Sequence, residues 1–285
     1  MKAAVLSDIH GNHIALAKCI GEIERRKIDT LIFLGDYIGE LAYPQKTMAL
    51  LRSLMTRFTC FFVRGNKEDY WLEHRNAPDG IWKNGDSTTG MLLYAYNNLR
   101  SEDLAFFESM PHRRILSFEG LPDIVAYHGS HNRHDVKWKL NSRNLEMLFD
   151  DTEETLILCG HTHIRSHLCQ DGRTLLNPGS VGVPLESHGL SQFLILTGEN
   201  GVWKHEFVNL AYDVERVLQE LHEEKLEEQA PSWTLITEHL LQNGTVHHGK
   251  VLKRAMELVY QATGTVSWPE IPEEYWKQAT SEFGL

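Results

Sequence analysis

The sequence predicts an α/β protein, a β-sandwich flanked by helices with a helical appendage at its carboxyl end. Three observations carry that expectation. Between residues 3 and 63, apolar runs of strand length alternate with stretches of helical period. Between residues 123 and 208, short apolar runs follow one another with little helical pattern between them. Beyond residue 209 the pattern becomes helical.

Residues 3–6 read as the first strand, after which Leu16, Ile20 and Ile23 fall on one helical face. The run 31–34 comes next, then Met48, Leu51, Met55 and Phe58 at helical spacing, then the run 60–63. This is β-α-β-α-β, in which successive parallel strands bring their carboxyl ends to one edge of a sheet. The segment 66–109 is mostly helical by pattern and rich in aromatics, among them Tyr70, Trp71, Trp82, Tyr94 and Tyr96. Runs at 123–127, 155–159, 174–176, 193–196 and 202–208 read as strands that include a second, partly antiparallel sheet. In the tail, Val214, Val217, Leu218 and Leu221 mark one helical face. Trp233, Ile236 and Leu240 mark a second, Leu252, Met256 and Val259 a third, and Pro231 breaks between the first two. The expected division is a core at 1–208 and a helical appendage or cap at 209–285. The tail must bury its apolar faces on the core or on a second subunit, so a homo-oligomer is left open.

Composition limits the partners. With 39 acidic against 28 basic residues the chain carries a formal charge of -11, which repels a nucleic-acid backbone unless a local positive centre overrides it. Bulk nucleic acid is not an expected partner. No apolar run approaches the ~18 residues of a membrane span, and the first strand has neither the basic flank nor the apolar length of a signal peptide. No membrane partner and a cytoplasmic location are therefore expected. Cys19, Cys60, Cys159 and Cys169 lack C-x-x-C spacing and mostly lie in apolar segments, so they read as reduced and structural.

Five short polar clusters, SDIHGN (7–12), GDYIG (35–39), GNKE (65–68), HGSH (128–131) and GHTH (160–163), are spread along the chain, four of them directly behind an apolar run. Loops at the carboxyl ends of strands are where an α/β sheet presents ligands, and Asp, His and Asn are side chains that hold a borderline divalent metal. Taken singly, each cluster has an ordinary reading. Asp8 and His10 can be solvated loop residues, Asp36 a turn or cap, Asn66 a turn residue and His128 a satisfied core histidine. His161 and His163 behind a buried-looking strand are the most informative pair, since two imidazoles two residues apart suit coordination of a dinuclear centre. The joint pattern, in order and mostly at strand ends, favours the metal reading over these separate ones.

These clusters, with NPGSVGVP (177–184) behind the last, resemble the calcineurin-like metallophosphoesterase superfamily, and within it the compact bacterial and archaeal phosphodiesterase branch. The resemblance spans about residues 1–208. It implies a four-layer α-β-β-α sandwich and a site for two divalent metal ions, manganese, iron or zinc. Asp8, His10, Asp36 and His163 would hold one ion; Asp36, Asn66, His128 and His161 would hold the other. Two such ions leave net positive charge beside Asp8 and Asp36 and can supply a bridging hydroxide that attacks phosphorus in line. Asn12 and Arg64 are candidate phosphate contacts.

One position departs from the pattern. Many relatives carry a histidine directly after the GN of the third cluster, and here that position is Lys67. Beside two metals, a desolvated ammonium would have a lowered pKa, and it could serve as proton donor or as a clamp on phosphoryl oxygens. His131 is a second candidate donor, His134 reads as an exposed polar loop, and His247 and His248 of the tail could reach the site although a solvated loop is the simpler reading. The expected function is a metal-dependent phosphoesterase cleaving phosphodiester or phosphoanhydride bonds in a small phosphorylated, nucleotide-like substrate. Alternatives are a phosphomonoesterase, including a serine/threonine protein phosphatase, a dinucleoside polyphosphate hydrolase, and a non-catalytic scaffold of the same fold.

Overall fold

The computed structural model describes residues 1–76, 80–129 and 152–285. Strand β1 (Lys2–Leu6) alternates its side chains between two buried environments: Ala4 and Leu6 join one apolar cluster, Ala3 and Val5 another. A strand with both faces buried lies in the middle of a layered protein. β2 (Thr30–Phe33) repeats this, with Leu31 and Phe33 on one side and Ile32 on the other. With β3 (Thr59–Phe62), β9 (Ser191–Glu199) and β10 (Val202–Leu210) they form a five-stranded sheet in the order β10-β9-β1-β2-β3. β1, β2 and β3 run parallel, whereas β9 is antiparallel to both its neighbours.

The second sheet contains β4 (Arg113–Leu116), β5 (Ile124–Tyr127), β6 (Leu156–Leu158), β7 (Ser166–Gln170) and β8 (Arg173–Asn177), in the order β4-β5-β6-β8-β7. Its middle strands β5, β6 and β8 are parallel and its edges antiparallel. Ile124, Ala126, Leu156, Leu158 and Leu176 pack against Ala3, Val5, Ile32, Leu194 and Leu196, filling the space between the sheets. The outer face of the first sheet is covered by α1 (His13–Arg25), α2 (Pro44–Met55), α3 (Asn66–Asn76) and α5 (Ser101–Ser109) through Leu16, Ile23, Leu51, Trp71 and Phe107. The mixed α/β sandwich predicted from the sequence is present.

β4 and β7 escape the apolar pattern. β4 opens with two arginines, and β7 alternates half-buried with exposed positions at a sheet edge. On α2 the buried third position is Leu54, while Met55, expected on that face, is 46% exposed.

α4 (Gly90–Asn97) and the tail helices α6 (Val214–Glu223), α7 (Leu226–Gln229) and α8 (Pro231–Asn243) share one apolar cluster: Val217, Leu221, Leu226 and Leu240 meet Leu41, Met91 and Val183. α9 (His248–Thr263) and α10 (Glu273–Glu282) build a smaller cluster around Trp276 and Ile236. α10 was not legible in the sequence, since Trp276 and Ala279 are its only buried apolar side chains. No helix among the described residues is long and apolar enough to cross a membrane.

Candidate metal centre

The loops behind β1, β2, β3, β5 and β6 converge at one edge of the sandwich, and each delivers metal-ligating side chains there. Asp8, His10 and His163 form one group of donor atoms, Asp36, His128 and His161 a second. Asp36 lies between them, with Oδ2 3.6 Å from His10 Nε2 and Oδ1 3.4 Å from His128 Nε2. Asn66 Oδ1 is 3.2 Å from His128 Nε2. All seven ligand candidates read from the sequence are thus brought together.

The donor arrangement fits metal ions. His10 Nε2 faces His163 Nε2 at 3.0 Å, and His128 Nε2 faces His161 Nδ1 at 3.1 Å. Asp8 Oδ1 is buried without a hydrogen-bond donor, 3.3 Å from His163 Nε2 and 3.7 Å from His10 Nε2. The far nitrogens of three rings are held by acceptors: His128 Nδ1 by the Leu34 carbonyl at 2.7 Å, His163 Nδ1 by the Val183 carbonyl at 3.1 Å, and His10 Nδ1 by the Glu40 carboxylate. Each contact fixes the proton on Nδ1 and turns the Nε2 lone pair into the cluster, as ligand histidines require.

The loops that carry these groups are strained. Asp8, His10, Asp36, His161 and His163 all have φ between 51° and 67°, a left-handed conformation costing a non-glycine residue about 1–3 kcal/mol where the surroundings impose it. The surroundings do impose it. Glu68, quoted within GNKE but given no role by the sequence, accepts the backbone N–H groups of Asp36, Tyr37 and Gly65 at 2.8–3.0 Å and ties two loops together. Asp8 Oδ2 accepts the Ser7 hydroxyl at 2.6 Å and the His161 N–H at 3.0 Å.

Charge follows from burial and neighbours. Burial opposes ionisation of Asp8, but His163, His10 and His128 hold its carboxyl well below the usual range. Burial alone would lower His10, yet Glu40, Asp8 and Asp36 together raise it to about 10. Against burial, Asp36 and Asp8 likewise raise His128 to about 9. Two divalent ions would replace the protons so held.

Among the described residues, Lys67 reaches the cavity beside the clusters, whereas Asn12 and Arg64 do not line it. That cavity, of about 310 Å³, is lined by His10, Asp36, Asn66, Lys67, His161 and His163 on one side and by tail residues on the other. Lys67 Nζ donates to Glu40 Oε1 at 2.7 Å. Without metal, burial pulls the Lys67 pKa down, but Glu40 and then Asp36 raise it above its ordinary value. Glu40 was missed. It directly follows GDYIG, and its being the next acidic residue was the available signal.

Asn12 is buried: its Oδ1 caps α1 by accepting the Ala15 N–H at 2.9 Å, and its Nδ2 donates to the Gly182 carbonyl at 2.9 Å. Arg64 is held beside α3. Its Nε lies 3.0 Å from Asp69 Oδ1 and from His112 Nε2, and it is absent from the cavity lining. His131 and His134 lie outside the described residues. His247 and His248 line the cavity instead of a solvated loop, and burial drives the His248 imidazole down to about 3, so it is neutral. Burial pushes the Cys19 and Cys159 thiols up to about 12, consistent with inert core residues, whereas Cys169 on β7 is exposed.

Comparison with known proteins agrees with this geometry. The uncharacterized protein MJ0912 of Methanocaldococcus jannaschii is 28% identical over 251 residues, covering 81% of this chain and 94% of that protein. A metallophosphoesterase from Sphaerobacter thermophilus has the same fold, with a TM-score of 0.68 at 22% identity, covering 83% of this chain and 100% of its own. Hypothetical protein PH1004 from Pyrococcus horikoshii OT3 gives a TM-score of 0.72 at 19% identity, covering 86% and 99%. The family model for the calcineurin-like phosphoesterase superfamily domain matches residues 1–201, the stretch that carries every ligand loop. By that match, this chain belongs to the calcineurin-like phosphoesterase superfamily.

Proposed function

We propose that the chain is a two-metal phosphoesterase that hydrolyses phosphodiester or phosphoanhydride bonds in a small, nucleotide-like substrate. The observation that carries this reading is the pair of facing donor groups with Asp36 between them, opening onto the cavity that also holds the Lys67 ammonium. Asp8, His10, Asp36 and His163 would hold one ion, and Asp36, Asn66, His128 and His161 the other. Bound there, the metals would supply an activated water nucleophile and positive charge for the phosphoryl group.

The chain's own residues do the rest. Glu40 orients His10 through Nδ1 and Lys67 through Nζ, so one carboxylate positions a ligand and a cation together. Lys67, which lines the cavity, would bind a non-bridging phosphoryl oxygen and offset charge that develops there. Neutral His248, which accepts or donates at Thr237 Oγ1 over 2.8 Å, closes the cavity behind it. The filled ligand set speaks against a non-catalytic scaffold.

The test is a rate panel with added manganese on a bis-aryl phosphate, an aryl phosphate, a dinucleoside polyphosphate and a phosphopeptide. Turnover fastest on the diester or the anhydride is the expected result. Preference for the aryl monoester or the phosphopeptide would move the assignment to a phosphomonoesterase, and no turnover on any substrate would return it to a scaffold.

A further inference from the structure

The cavity beside the metal clusters has a second wall that phosphoryl chemistry does not need. Tyr70 of α3, Trp233 of α8, Leu252 of α9 and Trp268 line it, together with Met91 and Leu240. Trp268 stays 43% exposed although it is a large aromatic side chain, and its ring lies 5.5 Å from that of Tyr70 at 34°. Trp233 stacks on neutral His248 at 4.2 Å, and its ring centroid is 5.7 Å from Lys67 Nζ. Four of these residues, Trp233, Leu240, Leu252 and Trp268, lie beyond residues 1–201, so the family core supplies the ligand loops and Tyr70, and the tail supplies the rest of the wall.

Resting on the phosphoesterase reading, we infer that Tyr70, Trp233 and Trp268 form a stacking subsite for the base of a nucleoside phosphate. The wall is apolar and aromatic at one end and meets an ammonium at the other. That polarity matches a ligand with a flat π-face joined to a phosphate through a sugar. An aliphatic phosphoester gains little from aromatic faces, whereas every nucleobase has a face to stack, and such stacking is sequence-tolerant. The Lys67 ammonium, 5.7 Å from the Trp233 ring and sharing the Glu40 carboxylate with His10, gives the direction: base toward the tail, phosphate toward the metal ligands. The cavity volume of about 310 Å³ sits at the small end of ligand pockets, which suits a mononucleotide unit better than a folded peptide segment.

Calorimetric titration of the manganese-loaded full chain with adenosine 5′-monophosphate, ribose 5-phosphate and inorganic phosphate tests the subsite. The nucleotide is expected to bind about 5- to 150-fold more tightly than ribose 5-phosphate, the range that base stacking provides. Trp268→Ala should remove most of that preference while leaving ribose 5-phosphate within about twofold of wild type, and Trp268→Phe should keep most of it. Tyr70→Leu provides a second variant on the opposite side of the ring pair, with the same expected selectivity. Equal binding of nucleotide and sugar phosphate in the wild type, or parallel weakening of both by Trp268→Ala, overturns the subsite. The two readings fail separately: turnover of phosphodiesters without base preference removes only the subsite, and base preference without turnover of any phosphoester supports the subsite while removing the phosphoesterase assignment.

Discussion

Glu40 is the residue on which the site turns beyond its ligands, because its two oxygens hold His10 and Lys67 at once. Glu40→Gln keeps the shape but removes the charge. Loss of such an outer partner typically weakens metal affinity about 10- to 100-fold, so chelator competition should show that loss, with the phosphate affinity of the loaded protein reduced as well. An unchanged metal affinity would mean that Glu40 only packs. The histidine charges give a second expectation. His10 and His128 have folded pKa values of about 10 and about 9 without metal, above the ordinary histidine value. A raised pKa stabilises the fold fully below the unfolded value of about 6.5 and loses that contribution as pH rises through the folded value. Thermal melts of metal-free protein should therefore fall in midpoint from pH 7 to pH 10, while metal affinity, which requires those protons to leave, rises over the same interval. Melting midpoints that climb toward pH 10 would contradict the assignment. At this scale the grouping of the candidate ligands was legible because Asp, His and Asn recur behind apolar runs. The partners of Asn12 and Arg64 were not, because adjacency in sequence does not say where a side chain points, and Gly182 and His112 come from elsewhere in the fold.

The loops behind the strands are held by contact as much as by hydrogen bonds. Gly160 ends the approach to the GHTH loop, and a Cβ there would overlap Ser7 Oγ and come within 2.8 Å of Asp8 Oδ2. Gly160→Ala should therefore push the β1 and β6 loops apart, destabilise the fold by about 1–3 kcal/mol and lower bound metal, measured by denaturant unfolding and elemental analysis. Wild-type stability with full metal content would show that the loops have more room than their geometry allows. Strand and helix order was readable where apolar runs or helical faces were continuous, as in β1, α1 and β2. It failed where burial is one-sided or sparse: β4 begins with Arg113 and Arg114, β7 is an edge strand, and α10 buries Trp276 on an otherwise polar helix. Edge strands and lightly buried helices carry little periodic signal because few of their positions are constrained by the core.

Across the molecule, residues 1–201 bring candidate metal ligands from five loops to one edge and the tail covers that edge with apolar and aromatic side chains. The tail is built into the interior, since Val217, Leu221 and Leu240 share a cluster with Leu41, Met91 and Val183. Removing 212–285 would expose that cluster, so point substitutions in the cavity are the cleaner way to separate recognition from folding. The sequence showed that the tail is helical and amphipathic. It did not show that α8 and α9 reach the cavity, because a helical face announces burial without naming what it packs against. The central claim, hydrolysis that depends on two metals, is tested most directly by titrating manganese into chelator-treated protein while following hydrolysis of a bis-aryl phosphate. The rate should be near zero without metal and rise until two equivalents are bound per chain, with Asp36→Asn failing to recover it. Full turnover in the chelated protein, or none at two bound equivalents, would contradict the account.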